Sequence, residues 1–186
     1  MIYIIDHKDS FTYNLVHLLS NFDKVYISNY SNISNLELKK SKLIVLSPGP
    51  GEPQDYPETS AIYKKYKGKK KILGICLGFQ QILHCENGKI IQQSKIYHGH
   101  QSKIDILKTS KLFKKYKSFK VGKYHSLRLK EPFKSKNTII TMRCAETKVA
   151  MAIENVIDKV YGFQFHPESF LTENGHLLIK KILSSY

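Results

Sequence analysis

The chain has 186 residues, 41% of them hydrophobic, enough for one globular domain with a sizeable core, and this excludes a disordered chain, a collagen or a coiled coil. Its formal net charge of +15 invites a nucleic-acid reading, but only two of its 30 basic residues, Arg128 and Arg143, carry the planar fork that suits phosphate and base edges. The lysines accompany many Ile, Asn and Tyr residues, all encoded by AT-rich codons, so no nucleic-acid partner is expected.

In chain order, residues 2–5 (IYII) read as a buried strand, and Ser10 to Leu19 as a helix with Phe11, Leu15, Leu18 and Leu19 on one face and Ser10 as N-cap. Strands are expected at 24–28 and 43–46. The loop Ser47-Pro48-Gly49-Pro50-Gly51-Glu52-Pro53 follows, and then a helix over 57–66. Strand 71–75 passes at once into a helix from Leu77 to Glu86. This alternation predicts βαβ units and a mostly parallel sheet. From 88 to 154 the pattern changes to short strands at 89–92, 103–107, 119–129, 137–142 and 149–153, which predict an antiparallel section. A strand over 160–165 and a helix from Thr172, as N-cap, to Leu183 close the chain. Neither a linker nor a repeat interrupts it, so the expectation is one α/β domain over 1–186.

No apolar run approaches the ~18 residues of a membrane span. The opening Met1-Ile2-Tyr3-Ile4-Ile5-Asp6 meets charge too soon for a signal peptide. The three cysteines, Cys76, Cys85 and Cys144, are odd in number and lack zinc or redox spacing. A reducing cytoplasm and no membrane contact are expected.

Three segments carry chemistry. Cys76 lies where an apolar strand gives way to a helix, in Gly74-Ile75-Cys76-Leu77-Gly78. A nucleophile on such a turn stands above the sheet, with the positive end of a helix behind its sulfur; the same residue also reads as a buried core cysteine. In Gln164-Phe165-His166-Pro167-Glu168-Ser169, a carboxylate two residues from a histidine can take one imidazole nitrogen and leave the other for a thiol proton. The alternative is a strand-end His beside a solvated Glu. The Pro48 to Gly51 loop can aim a backbone N–H at a developing oxyanion, or is simply a rigid turn. It lacks the Gly-Lys-Ser/Thr ending of a phosphate loop.

Together these segments resemble the class I (triad) glutamine amidotransferases. Within them the chain is most similar to the small subunits of anthranilate synthase and aminodeoxychorismate synthase. The resemblance rests on Asp9-Ser10-Phe11-Thr12-Tyr13-Asn14-Leu15, Leu46 to Pro53, Gly74 to Gln80, Tyr124-His125-Ser126-Leu127, Gly162 to Ser169 and Leu171 to His176, which occur in the family's order. It implies a flavodoxin-like sheet flanked by helices. It assigns Cys76 as nucleophile, His166 as base and then acid, and Glu168 as its orienter. The backbone N–H groups of Gly49 and Leu77 become oxyanion donors. Gly49, Pro50, Gly51, Gln80, Ser126 and Leu127 become the positions that hold L-glutamine.

The resemblance also implies no cofactor and no metal. It further implies, as partner, a chorismate-binding synthase large subunit, which receives the ammonia internally. One motif departs: where the family usually shows His-Gly-Lys, this chain has His98-Gly99-His100, and His7 stands where the family often has Asn or another polar residue. The two histidines on one loop also permit a metal reading, though without further ligands. Two other classes compete. One is a cysteine hydrolase on the same fold, such as a peptidase or gamma-glutamyl hydrolase; Gln80 and the Tyr124 to Leu127 motif weigh against it. The other is a basic nucleic-acid-binding protein.

Overall fold

A computed structural model describes residues 1–93, 99–116 and 118–185. Its parallel half is built from the strands β1 (Ile2–Asp6), β3 (Leu43–Leu46) and β4 (Lys71–Ile75), apolar and buried on both faces, with the half-buried β2 (Val25–Asn29) at the edge. The antiparallel half adds β6 (His100–Ile106), β7 (Phe119–Lys123), β9 (Ile139–Cys144) and β10 (Ala150–Asn155), while β11 (Val160–Phe163) pairs parallel to β4 and antiparallel to β10. The nine strands run in the order β2-β1-β3-β4-β11-β10-β9-β6-β7, and β5 (Ile90–Gln92) forms a separate ribbon with β8 (Leu127–Leu129).

Alternation along each strand sorts the core into two layers. Ile2, Ile4, Val45, Leu73 and Ile75 face α1 (Thr12–Ser20) and α5 (Gly175–Leu183), meeting Leu15, Leu19, Leu178, Ile179 and Ile182. Tyr3, Ile5, Ile44, Leu46 and Ile72 face the opposite way, against α2 (Asn35–Lys40), α3 (Pro57–Tyr66) and α4 (Leu77–Cys85). Each fully buried aliphatic side chain contributes about 1.5–3 kcal/mol, so the sheet's two faces carry most of the stability.

The differences from the sequence expectations have local causes. Ser10 does not cap α1: the Asp9 carboxylate takes the Phe11 N–H at 2.8 Å, and the helix begins at Thr12. Helix α2 went unpredicted because only Leu38 of its six residues is buried. The stretch 119–129 is two strands, β7 and β8, because Tyr124-His125-Ser126 turns the chain from one sheet to the other. Thr172 does not cap the last helix. Its hydroxyl instead donates to the His166 carbonyl at 2.6 Å and accepts from the Gly122 N–H at 3.0 Å, and α5 begins at Gly175 after a left-handed Asn174.

The turn from β4 to α4 brings backbones into very close approach. A Cβ on Gly78 would meet the Leu46 carbonyl, and a Cβ on Gly74 would meet the Gly78 carbonyl. Both obstacles are backbone, which cannot rotate away. Gly78→Ala is therefore expected to lower the unfolding free energy by about 2–4 kcal/mol, at or above the usual overpacking range, read as a lower urea midpoint with unchanged slope.

Two imidazoles are buried in the same region. His7 is 1% and His125 is 4% exposed. Desolvation is the main cause that pushes each down to about 4; a backbone carbonyl opposes it in each case, and Asp6 also opposes it at His7, whereas Lys123 and His166 reinforce it at His125. Unfolded histidine titrates near 6.5. Between those values the unfolded chain binds more protons than the folded one, so this contribution to stability is complete above pH 6.5 and shrinks as pH falls toward 4. Chemical denaturation between pH 7 and 4.5 should show the loss, and His7→Asn should make it shallower.

Candidate active site

The candidate residues gather at the carboxyl ends of the parallel strands, where the chain leaves the sheet and its side chains and loops converge. Cys76 follows β4 directly and precedes α4, with φ 52° and ψ −102°. That left-handed conformation is costly for a residue with a Cβ, on the order of 1–3 kcal/mol. It is held from both sides: the Cys76 N–H donates to the Phe163 carbonyl at 2.8 Å, and its carbonyl accepts from the Gln80 N–H at 3.1 Å. The reading of Cys76 as a turn-borne thiol therefore matches its geometry, although only 9% of the residue is exposed.

His166 and Glu168 come from the segment just beyond β11. Imidazole Nδ1 lies 2.7 Å from Glu168 Oε1, with both side chains essentially buried. Nε2 is buried and bonded to no oxygen or nitrogen, and it is left for the thiol. Burial pulls the imidazole down, but the Cys76 sulfur and the Glu168 carboxylate outweigh it and hold His166 well above its ordinary value. The arrangement suits a base that takes a thiol proton and keeps it until a leaving group needs it.

A cleft of about 250 Å³ opens over Cys76. Gly49, Pro50, Gly51, Leu77, Gln80, Ser126 and Leu127 all line it, as does Cys76 itself. His166 and Glu168 are not among the residues that line the cleft, although His166 interacts with Cys76. Leu77 opens α4, so its N–H has no partner one turn earlier in the helix, and a Cβ on Gly49 would come 2.6 Å from the Leu77 side chain. The two residues expected to supply oxyanion donors are thus in contact, and both line the cleft. Gln80 extends Nε2 to the Gln164 Oε1 at 3.1 Å and to the Leu127 carbonyl at 3.5 Å.

Several residues at the site were given no role from sequence. Gln164 is fully buried and donates to Cys76 Sγ at 3.7 Å, linking the sulfur to Gln80. Phe11 and Tyr124 pack their rings 5.0 and 5.1 Å from the His166 ring, and the Tyr124 hydroxyl bonds Ser169 Oγ at 2.9 Å. Asp9 and His125 also border the cleft. Gln164, Tyr124 and Phe11 all stood inside the motifs, but their contacts with Cys76 and His166 needed the fold. Of the departing motif, His98 lies outside the described residues, and His100 opens β6 at the surface. Cys85 and Cys144 are free thiols away from the cleft. Among the described residues no helix is long and apolar enough to cross a membrane.

Comparison with known proteins identifies the family. The family model described as glutamine amidotransferase class-I matches residues 3–185. A protein named anthranilate synthase component 2 from Lactococcus lactis is 36% identical over 99% of this chain and 94% of its own length. One of the same name from Cyanidium caldarium is 38% identical over 99% of this chain and 98% of its own. Among solved structures, a putative GMP synthase protein from Thermoplasma acidophilum superposes with a TM-score of 0.84, covering 98% of this chain and 91% of that one at 19% identity, a likeness of fold. The chain belongs to the class I glutamine amidotransferase family.

Proposed function

We propose that this chain is the glutamine-hydrolysing subunit of an anthranilate synthase, acting as one amidotransferase domain in the cytoplasm and passing ammonia to a chorismate-binding large subunit. The observation that carries the reading is the buried His166–Glu168 pair, 2.7 Å apart, beside a thiol on a strained turn at the floor of a cleft. The names of the relatives support the choice of synthase and weigh against a peptidase or gamma-glutamyl hydrolase.

The chemistry follows from those positions. L-glutamine enters the cleft between the Gly49 to Gly51 loop, Gln80 and the Ser126-Leu127 strand start. The Cys76 thiol gives its proton to His166 Nε2 as sulfur bonds to the side-chain amide carbon. The oxygen becomes an oxyanion facing the N–H groups of Gly49 and Leu77, each worth about 3–4 kcal/mol in comparable sites. His166 then protonates the amide nitrogen, the C–N bond breaks and ammonia leaves. Water gives its proton to His166 and attacks the thioester; the C–S bond breaks, glutamate is released and the thiol is restored. Glu168 fixes the imidazole tautomer and balances its charge throughout. Neither a metal nor an organic cofactor enters these steps.

With the synthase partner present, Cys76→Ser is expected to lower glutamine-dependent product formation by at least about 10³-fold, while synthesis from added ammonium salt persists. Retained glutamine hydrolysis in that variant would remove Cys76 from the role. Identification of the product distinguishes the services this chain can perform: anthranilate supports the reading, and aminodeoxychorismate alone overturns the choice of synthase.

Glu168→Gln keeps the shape of the pair but not its charge. It should reduce kcat for glutamine by about 10²–10⁴-fold with the fold intact by circular dichroism. Turnover at the wild-type rate would show that the carboxylate is not needed.

A further inference from the structure

We propose that His7 is a positioning residue for the glutaminase reaction, holding the Ser47 to Gly51 loop so that the Gly49 N–H points at the developing oxyanion. This rests on the functional reading above.

His7 directly follows β1, and β1 lies parallel to β3 with Ile5 opposite Leu46. The register brings His7 beside Ser47, where the loop starts. The His7 backbone N–H donates to Ser47 Oγ at 2.9 Å, and the Ser47 hydroxyl in turn donates to the Pro48 carbonyl at 2.7 Å. Imidazole Nδ1 lies 3.2 Å from both the Ser47 carbonyl and Ser47 Oγ, whose own hydrogen goes to the Pro48 carbonyl. A carbonyl can only accept, so Nδ1 carries the hydrogen. Nε2 is then a lone pair, and it accepts from the Thr59 hydroxyl of α3 at 2.9 Å. Burial, which pushes His7 down to about 4, keeps that tautomer neutral at physiological pH.

The far side of the loop is held in the same way. The Tyr56 hydroxyl donates to the Pro50 carbonyl at 2.8 Å, and the Tyr56 ring stands edge-on to the His7 ring at 4.8 Å. Thus the carbonyls on both sides of Gly49, those of Pro48 and Pro50, are tied down by groups that contact His7. Gly49 itself rests on the histidine: a Cβ there would meet His7 Cβ. His7 is almost fully buried and does not line the cleft, so its influence reaches the substrate only through the loop.

An oxyanion donor acts on charge that exists in the transition state and not in bound glutamine. Loosening the loop should therefore lower kcat and spare KM. His7→Phe keeps an aromatic ring against Tyr56 but removes both nitrogens. His7→Asn can return an amide N–H toward the Ser47 carbonyl.

The test uses the full chain with its synthase partner bound, and reads glutamate release together with the rate at which iodoacetamide alkylates Cys76, followed by mass spectrometry. Expected are a 10- to 100-fold fall in kcat for His7→Phe, a KM within about threefold of wild type, substantial rescue in His7→Asn, and unchanged alkylation, since displacement at iodoacetamide needs no oxyanion donor. A rise in KM with kcat unchanged, wild-type kcat in His7→Phe, or alkylation slowed in parallel with hydrolysis would overturn the proposal. Should His7→Phe not fold, Ser47→Ala reads the same link by deleting the hydroxyl between His7 and Pro48; kcat at the wild-type level there also overturns it. Absence of glutamine hydrolysis in the wild-type complex is a different result, and it overturns the functional reading along with the role built on it.

Discussion

The backbone of one residue constrains the whole site. Cys76 must adopt a positive φ for the chain to reverse from strand into helix within a single residue, and it can do so only if the neighbouring backbones come closer than side chains allow. That is why Gly78 lies on the Leu46 carbonyl and Gly74 on the Gly78 carbonyl. The turn in turn joins three strands. β4 supplies Cys76, β3 receives Gly78, and β11 accepts the Cys76 N–H through Phe163. The strain is local, on the order of 1–3 kcal/mol, while the strands that hold it are buried on both faces. The large, distributed burial energy outweighs the small, concentrated cost, and the thiol is fixed at the head of α4.

Electrostatics then divides the labour among the ionisable groups. His166 keeps its proton readily because the Cys76 sulfur and the Glu168 side chain outweigh its burial, whereas His7 and His125 lose theirs because burial dominates. Three buried histidines in and around the candidate site thus have opposite tendencies: one is suited to move protons in the proposed reaction, and two stay neutral. The surface charge takes little part in this. Two of the many lysines instead close helix ends. Lys71 Nζ donates to the Ile182, Leu183 and Ser185 carbonyls at 2.8, 2.9 and 2.7 Å, and Lys70 Nζ to those of Lys39 and Ser41 at 2.8 and 2.5 Å. A cation at a helix C-terminus satisfies orphan carbonyls and opposes the helix dipole. At these two positions the basic side chains are structural.

What could be read from the sequence follows the range of the interactions. Strands 43–46 and 71–75 and helix 57–66 were legible to the residue because buried parallel strands are continuous apolar runs and Pro57 marks a helix start. The antiparallel strands were legible only in outline: their partners are distant, and nothing in 119–129 announces that Tyr124 to Ser126 leaves the sheet. Ser10 and Thr172 were misread as caps for one reason. A hydroxyl near a helix start serves whichever partner the fold brings, and the fold brought an aspartate to the first helix and the His166 carbonyl to Thr172. The candidate site was unusually legible because its elements are short and local: Cys76 in its turn, and His166 two residues from Glu168.

The supporting residues were not legible, and the reason is physical. Gln164 meets Cys76 across 88 residues of chain and His7 meets Ser47 across 40. Nothing in the residues beside His7 distinguishes it from a solvated strand-end histidine; only the pairing of β1 with β3 brings it beneath the loop. A reacting group can thus be recognised by the peptide around it, because its chemistry demands a particular local shape. A group that holds another in place can be recognised only after the sheet register is known. On this sheet the register set by Ile5 and Leu46 decides where Gly49 stands, and so ties the strand order to the oxyanion contact on which the proposed reaction depends.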